Sequence, residues 1–362
     1  MAPVVSALAA YAPEVETRVA LTGQHTTLVD QALEVFGLTP DYDLGNMQEG
    51  QTLYGVMHGA LEGLRDVVRE LDPDLVLVQG DTATVFAGAL VGFFERVRVG
   101  HVEAGLRSHD KWAPFPEEVL RRMTDVLADY CFAPTRWAAS ELLAENVQPD
   151  RIYVTGNTVV DALKSIGMRE RAVRSDALRA VIEADARSLL LTAHRRESFG
   201  EPLREVFAAV RDLADRFDDL HVVYPVHPNP NVRAPAEELL SGHARIHLTD
   251  PLDYLDLVAA MRHASLILTD SGGIQEEAPT LGTPVLVLRS VTERPEGVDA
   301  GVAELVGTER ARIVERAAAR LAEGRPAEME NPYGDGRAGE RIADIVVSSL
   351  TGRARTTEDW SP

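Results

Sequence analysis

The chain contains a single cysteine, Cys131, in 362 residues. That excludes an intrachain disulfide and any cysteine-based zinc centre, and its apolar setting points to the core. No stretch of about 18 or more apolar residues occurs, so no membrane span is expected. The opening MAPVVSALAAYAPEVE has no basic segment and carries two prolines and two glutamates, which makes a poor signal peptide. A cytoplasmic protein is the expectation. Lysine is almost missing: Lys111 and Lys164 are the only two, and the net charge is −21. Such an excess of negative charge argues against nucleic acid and anionic membranes as partners. An acidic, lysine-poor surface suits a high-salt cytoplasm, where screening relaxes self-repulsion; genome base composition alone accounts for the arginine bias equally well. There is no HExxH or other metal-ligand spacing, no GxSxG elbow and no GK[ST] loop. No bound metal or cofactor is expected.

What is present is a regular alternation. Short apolar, β-branched runs recur at 18–21, 75–79, 97–102, 130–133, 151–155, 189–192, 221–226, 246–248, 266–269 and 284–288. Helical patterns lie between most of them, as at 53–71, 116–127, 204–217 and 252–263. Strands alternating with helices predict an α/β protein with parallel, doubly wound sheets. The length suits two domains. Chemistry in such sheets belongs at the carboxyl ends of the strands, where QGDTAT, VEAGLRS, TAHRRESFG, PVHPNPN and LTDSGG are found.

LTDSGGIQEE places a Ser-Gly-Gly corner and two glutamates directly after a buried strand. Gly272 and Gly273 allow backbone N–H groups to approach a ligand, and a helix start favours an anion. A phosphate is the natural guest, the plain alternative being a tight turn. Against the acidic field its charge needs cations, for which Arg107, Arg195, Arg196 and Arg294 are candidates. Asp81 reads either as a helix cap or as a site residue. Glu103 at a strand end has no capping role, whereas Glu117 and Glu118 in a first helical turn complement the helix dipole at little cost. His194 abuts Arg195 and Arg196 after one strand, and His227 follows another.

GDTAT, HVEAGLRS, PFPEE, GNTVVDAL, HRRESFG, YPVHPNPNVR, TDSGGIQEEAPTLGTPVLVLR, TERPEGV and NPYGDG, in this order, resemble the non-hydrolysing UDP-N-acetylglucosamine 2-epimerases. The resemblance runs from Met1 to about residue 350. It implies two Rossmann-like domains facing across a cleft, as in GT-B glycosyltransferases, and a homodimer. The expected division is 1–158 with a returning helix 338–352, a UDP-binding domain 159–337, and a disordered tail 353–362. It further implies that Ser271, Gly272 and Gly273 hold the UDP diphosphate, that Glu277 accepts the ribose hydroxyls and that Arg294 adds a cation. Asp81, Glu103 and Glu117 become the acid–base set and His194 a group beside the phosphates. Arg195, Gln24 and His227 are further phosphate or second-site contacts. The implied reaction converts UDP-GlcNAc to UDP-ManNAc by eliminating UDP to a 2-acetamidoglucal and adding it back, on a route to cell-surface glycans.

The family begins with a strand and a GTRPE turn that this sequence does not show before MAPVV. A start codon placed too late is the expectation. Without its central strand the first sheet would expose two ladder edges, and the chain alone is expected to be poorly soluble or inactive. Leu252 and Leu257 stand where many members carry a glutamine and an aromatic near the uracil, which leaves room for a modified sugar nucleotide. Thr27 and Gly50 replace contacts to a second, activating UDP-GlcNAc. Rival readings are a GT-B glycosyltransferase, a hydrolysing epimerase and a UDP-sugar-binding protein without activity.

Overall fold

A computed structural model describes residues 1–23, 30, 33–45, 51–167 and 172–361. The chain divides into two compact units, Met1–Ala162 with Tyr333–Pro362, and Leu163–Pro332. Among the described residues no helix is long and apolar enough to cross a membrane.

In the first unit β1 (Ala20–Leu21) and β2 (Tyr42–Asp43) form a parallel pair. A separate parallel sheet runs β3 (Leu75–Gln79), β4 (Arg98–Val102), β5 (Tyr130–Ala133), β6 (Ile152–Val154), in that spatial order. Gln79 lies opposite Val102, so β3 and β4 end level with each other. The period of two divides their side chains between two cores. Val78, Val99, Cys131 and Ala133 pack with Val85 and Leu142 on one face. Val102 and Phe132 pack on the other with Val4 and Leu8 of the first helix and with Ile342 and Val346. The last two belong to helix Ala338–Thr351, which therefore completes the first unit's core. Asp161 receives its first N–H groups, at 3.1 Å from Ala338 and 2.7 Å from Gly339. Cys131 is fully buried, and burial pushes its thiol up to about 12.

The tail is a correction to the expected disorder of 353–362. Asp344 collects the N–H groups of Thr356 and Thr357 at 2.7 Å each. Trp360 is buried, and its N–H donates to the Val154 carbonyl at 2.7 Å, so the tail lies along the edge strand β6. An aromatic anchor nine residues beyond a helix that itself packs on the unit is enough to tie the segment down.

The second unit holds β7 (Arg187–Thr192), β8 (Leu220–Pro225), β9 (Ile246–Thr249), β10 (Leu266–Thr269), β11 (Val285–Val287) and β12 (Ala303–Leu305). Their spatial order is β9-β8-β7-β10-β11-β12, all parallel. This is the doubly wound Rossmann order, with its topological switch point between β7 and β10. Leu189 and Leu191 enter one core and Leu190 the other; Leu266 and Leu268 alternate with Ile267 in the same way. Burial on both faces is why these strands read as continuous apolar runs. Strands β2 and β12, which the sequence pattern did not predict, have only two and three residues. Each carries an acidic residue, Asp43 or Glu304, which interrupts the apolar run that marks the other strands.

Candidate active site

The switch point brings together the loop after β7 and the loop after β10. Asp270, fully buried at the end of β10, accepts from the backbone N–H of His194 at 2.7 Å and of Arg195 at 2.8 Å through one carboxylate oxygen. Its other oxygen lies 3.4 Å from His194 Nδ1. One aspartate thus fixes the His194 loop against the Ser-Gly-Gly corner. The His194 ring is partly exposed and stacks on His227 at 5.6 Å between centroids. Burial, then the neighbouring His194, holds His227 below the usual histidine range.

Ser271 is the N-cap of helix Gly272–Glu277, with no side-chain bond to it, so its hydroxyl is not used as a cap. A Cβ on Gly272 would stand 2.6 Å from Cζ of Arg294, whereas one on Gly273 would meet nothing closer than 4.0 Å. A side chain at 272 would therefore displace the Arg294 guanidinium, which lies against the corner. Arg294 is held by Glu276 at 2.8 Å and Glu293 at 2.6 Å. Glu293 also pairs with Arg289 at 2.7 Å and Arg195 at 3.3 Å. Burial opposes its charge, but the three arginines, Arg294 foremost, pull its carboxyl down to about 2.

The two adjacent glutamates have opposite fates. Glu276 is paired with Arg294, while Glu277 is buried beside the Tyr254 hydroxyl at 3.5 Å. Burial, with the Glu276 charge added, pushes Glu277 up to about 8.

In the first unit Asp81 and Glu103 follow the level ends of β3 and β4. Asp81 is not a cap; Thr82 holds that position, and the Asp81 carboxylate takes Arg121 Nη2 at 2.5 Å. Glu103 has φ 67°, left-handed backbone that costs a residue with a Cβ about 1–3 kcal/mol. Its Oε1 accepts from Gln79 Nε2 at 2.6 Å. The same amide donates to Thr158 at 3.0 Å. Glu117 opens helix Glu117–Leu127 and is half-buried. Glu118 is buried and takes the backbone N–H groups of Ser108 and His109, at 3.0 and 3.2 Å.

That helix is turned inside out. Glu118, Arg121 and Asp125 are buried, while Val119, Met123 and Val126 are exposed. Each buried charge holds a different piece of backbone or site, and the sequence reading named only the first of the three. Spacings of three and four on one helical face would have grouped them. The reading also missed Asp270, although a carboxylate at the end of an apolar strand is the signal that singled out Glu103.

Arg107 requires correction as a phosphate cation. Its side chain is fully buried and pairs with Asp125 at 2.7 Å and Glu145 at 2.8 Å. Arg196 is exposed and makes no part of the arginine cluster around Glu293. Gln24, Thr27 and Gly50 lie outside the described residues. Among the described residues no group of three or more His, Cys, Asp or Glu side chains could hold a metal ion.

Two units of parallel α/β structure, one with the Rossmann strand order, place the chain among the GT-B-like α/β enzymes. It belongs to the UDP-N-acetylglucosamine 2-epimerase family, whose sequence profile matches residues 8–347, and it is accordingly an isomerase. The UDP-N-acetylglucosamine 2-epimerase of Escherichia coli K12 is 48% identical over 360 residues, 96% of this chain and 95% of the relative. The Neisseria meningitidis UDP-GlcNAc 2-epimerase bound to UDP-GlcNAc is 40% identical, covering 98% and 96% of the two chains, with a TM-score of 0.88. The S. aureus MnaA–UDP co-structure is 44% identical, covering 100% and 96%, with a TM-score of 0.90.

Proposed function

We propose that the chain interconverts UDP-GlcNAc and UDP-ManNAc by elimination and re-addition of UDP. A base takes the C2 proton while the C1–O bond to UDP breaks, leaving 2-acetamidoglucal and UDP. A proton then returns to the opposite face of C2 as the C1–O bond re-forms. The C2 proton is not next to a carbonyl, which is why the leaving group has to depart. Asp81, Glu103 and Glu117 serve as the acid–base set. Ser271, Gly272 and Gly273 seat the diphosphate, with Arg294 and His194 stabilising the departing charge. The observation that carries the reading is the pair Asp81 and Glu103 on neighbouring strand ends, each held by a side chain and neither capping a helix.

Turnover in D2O without any acceptor should place deuterium at C2 of both nucleotide sugars, and EDTA should leave the rate unchanged. Retention of the original C2 proton through turnover would sink the mechanism, and a need for an acceptor would favour the glycosyltransferase. Free N-acetylmannosamine as the product would favour the hydrolysing epimerase. The exposed Val119, Met123 and Val126 offer an apolar face to a second copy, and light scattering should give twice the 39.4 kDa of one chain.

Glu277 gives UDP binding a pH dependence. Its carboxyl, raised to about 8, stays mostly neutral below that pH when no UDP is bound. Two ribose hydroxyls favour the ionised acceptor, so binding releases a proton. UDP affinity should rise with pH up to about 8, by at most about tenfold per unit. Calorimetry in buffers of different ionisation enthalpy should show the proton, and Glu277→Gln should abolish both effects. The linkage to stability has the opposite sign: the raised carboxyl favours the fold fully below 4.5, and this contribution is lost as pH rises through about 8.

A further inference from the structure

We propose that His101 is a permanent imidazolium that positions Asp81 and Glu103 for the proton transfers, acting through the backbone that carries them. The inference rests on the reaction proposed above for its functional half and on hydrogen-bond partners alone for its charge. His101 lies on β4, two residues before Glu103, and is fully buried. Its Nδ1 is 2.6 Å from the Asp125 carboxylate and its Nε2 is 2.8 Å from the Gly80 carbonyl. A carbonyl oxygen only accepts. Asp125 also only accepts here, because the Arg107 guanidinium paired with its second oxygen at 2.7 Å, beside the Gly105 N–H at 3.3 Å, keeps it an ionised carboxylate. A neutral ring would point a lone pair at one of these oxygens, so both ring nitrogens carry protons.

The groups facing His101 are Asp125 and Arg107, with Glu145 behind them, Glu103 along its own strand, and Cys131 opposite it on β5. Burial opposes the charge, and the Asp125 carboxylate, followed by the Gly80 carbonyl, outweighs it and raises the histidine above its usual range.

The two anchored backbone groups flank both candidate catalytic carboxylates. Gly80 immediately precedes Asp81 and has φ +88°, with its N–H donating to the Val102 carbonyl at 3.1 Å. Pinning its carbonyl sets the peptide plane from which Asp81 departs. Gly105, two residues after Glu103, is held by the same Asp125. The left-handed turn at Glu103 is thus clamped on both sides by one ion pair, and a Cβ on Gly80 would come within 3.8 Å of Glu103 Oε2. A clamp of this kind keeps a strained carboxylate in place without touching substrate. His101 is therefore a positioning residue.

The test has two arms. Histidine-selective 15N NMR on the unmutated full chain, with His101 assigned by the signal lost in His101→Gln, should show both ring nitrogens protonated from pH 6 to pH 9. A ring that titrates to the neutral form in that range overturns the charge assignment. In the second arm, folded His101→Gln and Asp125→Asn should lose about tenfold or more in kcat, with KM within about twofold and a displaced pH–kcat profile. A folded variant with the parent's kcat and profile overturns the positioning role. If neither variant folds, the whole parent spectrum decides: at least one histidine ring must stay doubly protonated at pH 9, and a spectrum with none overturns the proposal. An unmutated chain that fails to epimerise refutes the proposed reaction instead, and the NMR arm still decides the imidazolium.

Discussion

Glu103→Gln is expected to lower turnover by about 10²–10⁴-fold, the range for removing a positioned acid–base group, with UDP affinity within about threefold of the parent. The separation follows from where the groups lie: Glu103 is in the first unit, and Ser271, Gly272, Glu277 and Arg294 are all in the second. The substitution keeps size and shape but places an amide where Gln79 Nε2 now donates to a carboxylate oxygen at 2.6 Å. A carbonyl oxygen can still accept that bond, so the turn should persist while the proton chemistry does not. Steady-state rates together with calorimetric UDP titration check both halves. A fall in UDP affinity as large as the fall in turnover would mean that Glu103 helps to bind the nucleotide.

Arg107→Ala should act on stability rather than on nucleotide binding. Truncation removes the cation shared by Asp125 and Glu145 and leaves buried carboxylate charge with less compensation. Breaking such a pair typically costs about 3–5 kcal/mol, a large part of the whole stability of an ordinary domain. Denaturant unfolding should therefore shift strongly, while UDP affinity, measured on the folded fraction, should not change. The opposite outcome, unchanged stability with weakened UDP binding, would return Arg107 to the phosphate. Arg107→Lys should recover only part of the loss, because an ammonium cannot serve Asp125 and Glu145 with the geometry of a planar fork.

The alternation of strands and helices was readable from the amino acids because its causes are local. A strand buried on both faces has to be apolar along its length, as LLLT and LILT are, and each ends where polar or glycine residues begin. The glycine corner and the strand-end carboxylates stood out for the same reason. Each is an anomaly against its immediate neighbours.

Which charged residue does what was a different matter. Arg107 and Arg294 look alike in sequence, each a few residues beyond a strand, yet one is sealed against Asp125 and Glu145 and the other lies on Gly272. Glu276 and Glu277 are adjacent, and Glu117 and Glu118 are adjacent; within each pair burial and partner divide the roles. The inverted helix Glu117–Leu127 has an ordinary 3.6-residue period, but that period does not say which face turns inward. The tail follows the same rule, since the Trp360 backbone N–H finds its acceptor on β6, some two hundred residues earlier in the chain. Sequence alone determined the elements and the ends at which chemistry could sit, through backbone geometry and short-range burial. Only the tertiary structure decided the pairing of charges, because an ion's environment is set by groups that the chain brings from far away, as it brings Glu293 to Arg195.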